Sequence, residues 1–263
     1  MKQSYKLFLL VLIFNICFVS EKTKGQAYTV ENAHSHNDYV NDTPFYRAFN
    51  KGFASIEADI FPADGDLLVA HDSVELDVER TLLDMYLKPA VTSLEGSSRR
   101  LQLLIDIKKD YPEALRLLVK QLEPYKSLLS VPGRSAALTI VVSGERPLPS
   151  GFHHYPDYIW FDGNIKTDYT DQEWKRVGLV SFSFADFSKW DGVGRPAKNE
   201  RKKLKKVIDR VHKSNKKIRF WAAPDTPSSW LEQMNLGVDL IGTDRIEELA
   251  TFLDRPQGER LGR

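Results

Sequence analysis

The chain has a single cysteine, Cys17, among its 263 residues, which excludes an intramolecular disulfide framework and a cysteine-based zinc site. Any metal must be held by oxygen or imidazole. A charge excess of one sign is missing as well. Thirty-seven Lys and Arg stand against 36 Asp and Glu, a net of +1, without the surplus by which a protein neutralises many phosphates. Nucleic acid is therefore not an expected partner. The most extended apolar run, Leu7 to Val19, falls short of the ~20 residues that a membrane helix needs, so no stable membrane span is expected. Internal repeats and low-complexity linkers are absent too, and nothing points to a protein partner. What is there, 42% hydrophobic and 28% charged side chains, is the composition of a globular chain. Its length suits one barrel-sized domain or two small ones.

Lys2 and Lys6 precede the apolar run and the polar Glu21-Lys-Thr-Lys-Gly follows it, the order of a basic n-region and short h-region in a secretory signal. Residues 1–27 are expected to be a signal peptide and the protein secreted or periplasmic. The alternatives are a retained anchor or a lipoprotein anchor at Cys17, although Phe14-Asn15-Ile16 lacks the small residues usual before a lipidated cysteine. Cleavage before Gln26 would remove Lys2, Lys6, Lys22, Lys24 and Glu21, leaving 33 basic and 35 acidic residues, or −2.

Eight short β-rich stretches follow: 28–34, 55–61, 101–108, 137–143, 158–162, 179–184, 217–223 and 239–243. Helical patterns lie between most of them, at 45–51, 82–94, 113–129, 171–177 and 245–253. The clearest helix places Leu204, Val207, Ile208 and Val211 on one face, with Lys and Arg on the other. Alternating strand and helix predicts a parallel sheet, and eight units over 28–256, before a tail at 257–263, predict a single-domain (β/α)₈ barrel. A doubly wound open sheet is the alternative, because Gly144 to Gly151 reads as a Pro-containing loop where a helix should stand.

Parallel strands are covered on both faces, so charges inside them require a reason. In Ser55-Ile-Glu57-Ala-Asp59-Ile-Phe61 the two carboxylates are two residues apart and point to the same side. Asp106 and Lys108 share that spacing in Leu101 to Lys108, His34 and His36 stand at the end of the first strand, and His71 follows an expected Asp64-Gly65 turn. In a barrel these groups gather at the strand C-termini, where barrel active sites are found. Glu57, Asp59 and Asp106 together need a compensating cation, and their oxygens select one divalent ion, Mg²⁺ or Ca²⁺. Two histidines supply the acid and base for phosphodiester cleavage, and the metal with Lys108 offsets charge on the phosphoryl oxygens. The plain alternatives are an exposed antiparallel strand for Glu57 and Asp59, a structural ion pair for Asp106 and Lys108, and an ordinary histidine for His71.

The segments NAHSHNDY, SIEADI, DGDLLVAHD and LLIDIKK, with Gly52 between the first two, resemble the glycerophosphodiester phosphodiesterase and phosphatidylinositol-specific phospholipase C-like superfamily of TIM barrels. The likeness is strongest to the altered-inheritance-of-mitochondria protein 6 family, through His-Ser-His-Asn-Asp-Tyr, Glu-Ala-Asp and the Arg80 to Pro89 segment. It returns at Arg219-Phe-Trp221-Ala and Gly237 to Asp244. By position the resemblance implies Glu57, Asp59 and Asp106 as metal ligands, His71 as one catalytic histidine, either His34 or His36 as the other, and Lys108 as a phosphate contact. Trp221 would flank the substrate or pack the barrel. Departures are the missing His-Arg-Gly, Asn41-Asp42-Thr43 in place of Glu-Asn-Thr, and Asp106 in place of Glu. The implied reaction is attack of a substrate hydroxyl on phosphorus in a small-molecule or lipid phosphodiester, passing through a cyclic phosphate.

Two rivals stand beside it. His34-x-His36 also opens amidohydrolase-like and polymerase-and-histidinol-phosphatase-like metal barrels, with Asp244 as their late Asp. The second rival is a non-catalytic barrel that binds a phosphate-bearing ligand. The run Arg201-Lys-Lys-Leu-Lys-Lys206 reads as a solvated helix face rather than a membrane-docking patch.

Overall fold

The computed structural model describes residues 27–260; the expected signal peptide and Cys17 lie outside them. Nine strands form one sheet: β1 Ala33–Ser35, β2 Ser55–Ala63, β3 Asp66–Val69, β4 Leu101–Ile107, β5 Leu138–Gly144, β6 Ile159–Gly163, β7 Val177–Ser183, β8 Ile218–Trp221 and β9 Ile241–Thr243. Eight are parallel neighbours in the order β8-β7-β6-β5-β4-β2-β1-β9, and β3 pairs antiparallel with β2. A parallel bridge between Arg219 and Leu240 brings β8 beside β9. The result is a nearly closed (β/α)₈ barrel; the open-sheet alternative fails because the first and last strands of the order meet.

Helices return the chain between strands: α1 Tyr46–Asn50, α2 Lys88–Leu94, α3 Tyr111–Leu122, α4 Asp171–Lys175, α5 Lys198–Lys213, α6 Pro227–Leu236, α7 Ile246–Asp254 and the short α8 Gln257–Arg260. In α5 the residues Leu204, Val207, Ile208 and Val211 are buried while the lysines face outward, as their spacing predicts. In α6 Thr226 accepts a hydrogen bond from the Ser229 N–H at 3.3 Å and Pro227 occupies the first turn, so both ordinary start signals are present. The first expected strand is shorter than 28–34, because the Thr29 side chain caps a 3₁₀ turn at Val30–Asn32. The helix expected over 113–129 loses α-geometry after Leu122 and continues as a 3₁₀ segment, Glu123–Leu128, with Pro124 in its first turn. Past Pro256 the chain forms α8, where Arg260 Nη1 donates to the Tyr28 carbonyl at 3.1 Å.

Inside the barrel, alternate residues of each strand share the lumen. Leu104, Val141, Leu179 and Leu240 pack together with Trp160 as an apolar plug. One step further along their strands come Asp106, Ser143, Asp162, Ser181 and, beyond the seam, Gly242. Polar chemistry is thereby confined to the C-terminal mouth. The helices cover the outer faces, where Trp230, Phe53, Phe161 and Phe220 belong to the larger core.

The return between β5 and β6 has no α-helix, only a 3₁₀ turn at Pro149–His154. Arg176 compensates. Its guanidinium, in a residue only 7% exposed, donates to the carbonyls of Phe152 at 3.2 Å, Pro156 at 2.7 Å and Ile159 at 2.7 Å. The Phe152 and Pro156 carbonyls also accept the Tyr155 and Ile159 N–H groups, so Arg176 adds a second, charged donor that ties this turn to the start of β7. Replacing Arg176 by Met is expected to lower unfolding free energy by about 2–3 kcal/mol in urea denaturation, since several hydrogen bonds from a buried charged donor are lost.

Candidate active site

Glu57 and Asp59 project from β2 and Asp106 from β4. Asp59 and Asp106 are direct partners in the parallel register. One oxygen from each of the three carboxylates lies within 4.8 Å of the others. The β2 carboxylates are buried, at 4% and 3% exposure, so neither is the outward-facing residue of an exposed strand. Lys108 Nζ stands 2.7 Å from Asp59 Oδ2 and 2.6 Å from Asp106 Oδ2, so the Asp106–Lys108 pair is part of the cluster rather than separate from it. Burial would lower the Lys108 ammonium, but the two aspartates outweigh it and raise it. Burial followed by the Glu57 charge raises the Asp59 carboxyl against the pull of Lys108.

Across the lumen, Arg219 of β8 reaches Glu57 and His34. Burial alone would raise the Glu57 carboxyl; Arg219 first, then His34, hold it well below the usual carboxylate range. His34 is fully enclosed, with Nδ1 2.8 Å from Ser55 Oγ and Nε2 2.8 Å from Glu57 Oε2. Burial, reinforced by Arg219, pushes its pKa down to about 4, so it is neutral near pH 7.

His36 has a different environment. Its Nδ1 lies 2.7 Å from Asp244 Oδ1, just past β9, and the ring borders a mouth cavity of about 460 Å³ shared with Glu57, Asp106, Lys108, Asp162 and Trp221. Burial would lower its pKa; Asp244 and Glu57 reverse that and raise it. Asp244 is itself anchored, because its N–H donates to Asp225 Oδ2 at 2.9 Å. Trp221 ends β8 at the rim and is 49% exposed, so it is not core packing.

His71 arrives by the hairpin. Asp64 and Gly65 both have positive φ, 51° and 79°, giving the tight reversal that folds β3 back along β2. His71 Nδ1 then lies 3.2 Å from Asp59 Oδ2 and 3.1 Å from Tyr39 Oη. The Tyr39 hydroxyl donates to Asp59 Oδ2 at 2.8 Å. Burial, then Asp59, raises the Tyr39 phenol and keeps it a donor. The residues expected from sequence are thus brought to one end of the barrel, with His34 beneath the surface and the other two imidazoles at it.

Arg219, Tyr39, Asp244 and Asp162 are partners whose roles are not evident from sequence alone. A signal existed for two of them, since Arg219 and Asp162 interrupt buried strands as Glu57 does. The rival transition-metal site finds no support, because both nitrogens of His34 are engaged, His212 of α5 pairs with Asp239 at 2.9 Å, and the group of side chains close enough to share one ion among the described residues is Glu57, Asp59 and Asp106, with His34 and His71 each paired to a single acid of it. An oxygen-only set with this spacing fits a hard dication, whose ligands stand about 2.0–2.6 Å from the ion.

The barrel and its mouth define a TIM barrel with an acidic, imidazole-flanked site at the C-terminal ends of its strands. Residues 25–100 match the AIM6-like phosphodiesterase domain. The chain is 26% identical to the altered inheritance of mitochondria protein 6 homolog of Arthroderma benhamiae, over 81% of either protein. It is 25% identical to altered inheritance of mitochondria protein 6 of Kluyveromyces lactis, over 89% of this chain and 75% of that one. Among solved structures, a glycerophosphodiester phosphodiesterase from Parabacteroides distasonis superposes with a TM-score of 0.52 at 19% identity, covering 80% of this chain and 87% of the other. A barrel from Silicibacter pomeroyi gives 0.56 at 11% identity, over 86% and 95%. These two likenesses carry the fold, and the family resemblance drawn from the motifs is borne out.

Gly144, at φ +66°, closes the wall beside Asp106: an added Cβ would stand 2.3 Å from the Ile107 carbonyl oxygen and 2.8 Å from Asp106 Oδ1. Gly144→Ala is expected to cost about 1–3 kcal/mol of stability and to displace Asp106. The check is a lower melting temperature than wild type in thermal denaturation.

Proposed function

We propose that the chain is a secreted or periplasmic, metal-dependent phosphoric diester hydrolase acting on glycerophosphodiesters or phospholipid head groups. The observation that carries this reading is the meeting of Glu57, Asp59 and Asp106 beside two carboxylate-partnered imidazoles at the mouth of a barrel. Mg²⁺ or Ca²⁺ held by the three carboxylates would polarise the phosphoryl oxygens and offset their growing charge. Lys108 adds a second positive group at the same oxygens.

His36 is the general base. When its Nδ1 carries the proton, Asp244 accepts that hydrogen bond and Nε2 is left free to take the proton of the attacking substrate hydroxyl. His71, oriented by Asp59 and Tyr39, is the acid that protonates the departing alkoxide. Phosphorus thereby passes through a cyclic phosphate, whose hydrolysis reverses the two proton transfers. His34 is assigned no proton transfer; it braces Glu57 from below. Arg219 neutralises Glu57 and keeps three acids compatible in one mouth.

A panel of phosphodiesters assayed with and without EDTA, with products analysed for cyclic phosphate, tests the reading. Chelation should abolish turnover and Mg²⁺ or Ca²⁺ restore it. His71→Ala should lower kcat by about 10²–10⁴-fold; equal rates would remove its assigned role. Asp244→Asn addresses His36. Because Asp244 raises the His36 pKa and the base must be neutral, activity falls as pH drops through that pKa. The variant should move this acidic limb of kcat/KM to lower pH while reducing the plateau; an unmoved limb would contradict the assignment.

A further inference from the structure

His71 is the more exposed imidazole of the proposed catalytic pair, with 62% of its side chain open to solvent. Packing therefore does not hold the ring in place; its Nδ1 contacts to Tyr39 Oη and Asp59 Oδ2 do. Tyr39 is itself 3% exposed and belongs to a 3₁₀ turn, Asp38–Val40, in the loop that also carries His36. That loop is strained. Asn37 and Phe45 take φ of 45° and 65°, conformations that non-glycine residues keep only where their surroundings enforce them. On this side of the barrel the surroundings are supplied by the Arg80 to Pro89 segment, which the mechanism above leaves unused.

The segment grips two adjacent residues of the loop. The Arg80 guanidinium donates through Nη2 to the Tyr39 carbonyl, its only side-chain hydrogen bond among the described residues. Tyr86, fully buried, donates its hydroxyl to Asp38 Oδ2 at 3.1 Å, and the same carboxylate oxygen takes the Phe45 N–H. Tyr86 stands in a π-helical turn, Leu83–Leu87, a form found often at functional sites. The backbone of Arg80 reaches the other way. Its carbonyl accepts the Val69 N–H at 2.8 Å and Thr81 bridges to Leu68, so the loop 70–79, which bears His71, is closed at its base. One residue thus holds the His36 loop with its side chain and the His71 hairpin with its backbone. Arg80 does not border the mouth cavity, so it reaches the chemistry through Tyr39.

We propose that Arg80 is a positioning residue for His71: by tying the Tyr39 carbonyl to the base of the His71 loop, it keeps the Tyr39 hydroxyl where His71 Nδ1 meets it. Tyr86 supports the same clasp through Asp38. The proposal rests on the reading of His71 as the acid that protonates the departing alkoxide, and Arg80 itself touches no reacting atom. Without the clasp the imidazole turns away from its place. The step that suffers is departure of a poor leaving group rather than binding of the ligand.

The test has two arms, both on the full chain. In the first, ¹⁵N-histidine-labelled protein is observed by NMR at fixed pH, with the His71 signals identified by their loss in His71→Ala. Arg80→Met, which keeps the stem and removes the donors, should move the His71 ring nitrogens in the direction that Tyr39→Phe moves them and leave His212 on α5 unmoved. Unmoved His71 signals would overturn the clasp. In the second arm, kcat and KM are measured for glycerophosphocholine and glyceryl p-nitrophenyl phosphate, which share the attacking glycerol hydroxyl and differ in whether the leaving oxygen needs a proton. Arg80→Met should lower kcat for the choline ester by about tenfold, a part of what a general acid contributes, with KM little changed and about threefold or less lost on the aryl ester. Arg80→Lys, which restores a donor, should recover most of that loss. Adding Arg80→Met to Tyr39→Phe should cost little beyond Tyr39→Phe alone. Equal losses on the two esters, or additive losses in the double variant, would mark a merely structural role and sink the proposal. Tyr86→Phe serves if Arg80→Met does not fold, with smaller shifts of the same sign. Turnover with unmoved His71 signals would remove the clasp alone, and moved signals without turnover of either ester would remove the hydrolase reading alone.

Discussion

Three carboxylates held together at low exposure impose the constraint around which this barrel is arranged. Like charges taken out of water repel one another and lose hydration, and either effect would protonate or scatter them unless opposite charge is supplied close by. Lys108 supplies it from the same strand as Asp106, and Arg219 from the opposite side of the lumen. The arrangement is asymmetric. Glu57, gripped by a buried guanidinium, stays anionic, while Asp59, beside both Glu57 and Asp106, is raised despite Lys108. Removing one partner of such a buried pair costs more than the pair contributes, because the survivor is left uncompensated.

The same constraint separates two neighbouring histidines into different kinds of group. His34 and His36 are two residues apart, on the same side of the first stave and its extension, and sequence alone leaves them interchangeable. Depth decides between them. His34 lies level with Ser55 and Glu57, where burial makes it a neutral brace. His36 lies one step further out, where Asp244 can reach it and the cavity begins. A pleat of about 3.3 Å per residue is sufficient to turn a packing residue into one that faces ligand.

Much of this was legible beforehand. Apolar runs alternating with amphipathic helices gave the barrel, and carboxylates two residues apart in a strand that should be apolar gave the heart of the mouth. What escaped was long-range or non-periodic. Arg219 meets Glu57 across 162 positions, and no local pattern encodes that meeting, although its presence inside a buried strand marks it as anomalous. Arg176 escaped because its task is to bind backbone carbonyls, which have no sequence signature. The 3₁₀ turn at Val30–Asn32 shortened the first strand because a local side-chain cap outcompeted the sheet for the same backbone.

His71 owes its place to a two-residue reversal rather than to a barrel stave. Asp64 and Gly65 set the register in which β3 returns, so Ala70 hydrogen-bonds to the Asp59 carbonyl at 3.2 Å and the next residue falls beside the Asp59 side chain. Insertions and deletions therefore have unequal consequences on either side of this histidine. Extra residues after Ser73 merely lengthen a surface excursion, whereas a single residue gained or lost at the hairpin tip slips the ladder by one and turns the imidazole to the opposite face.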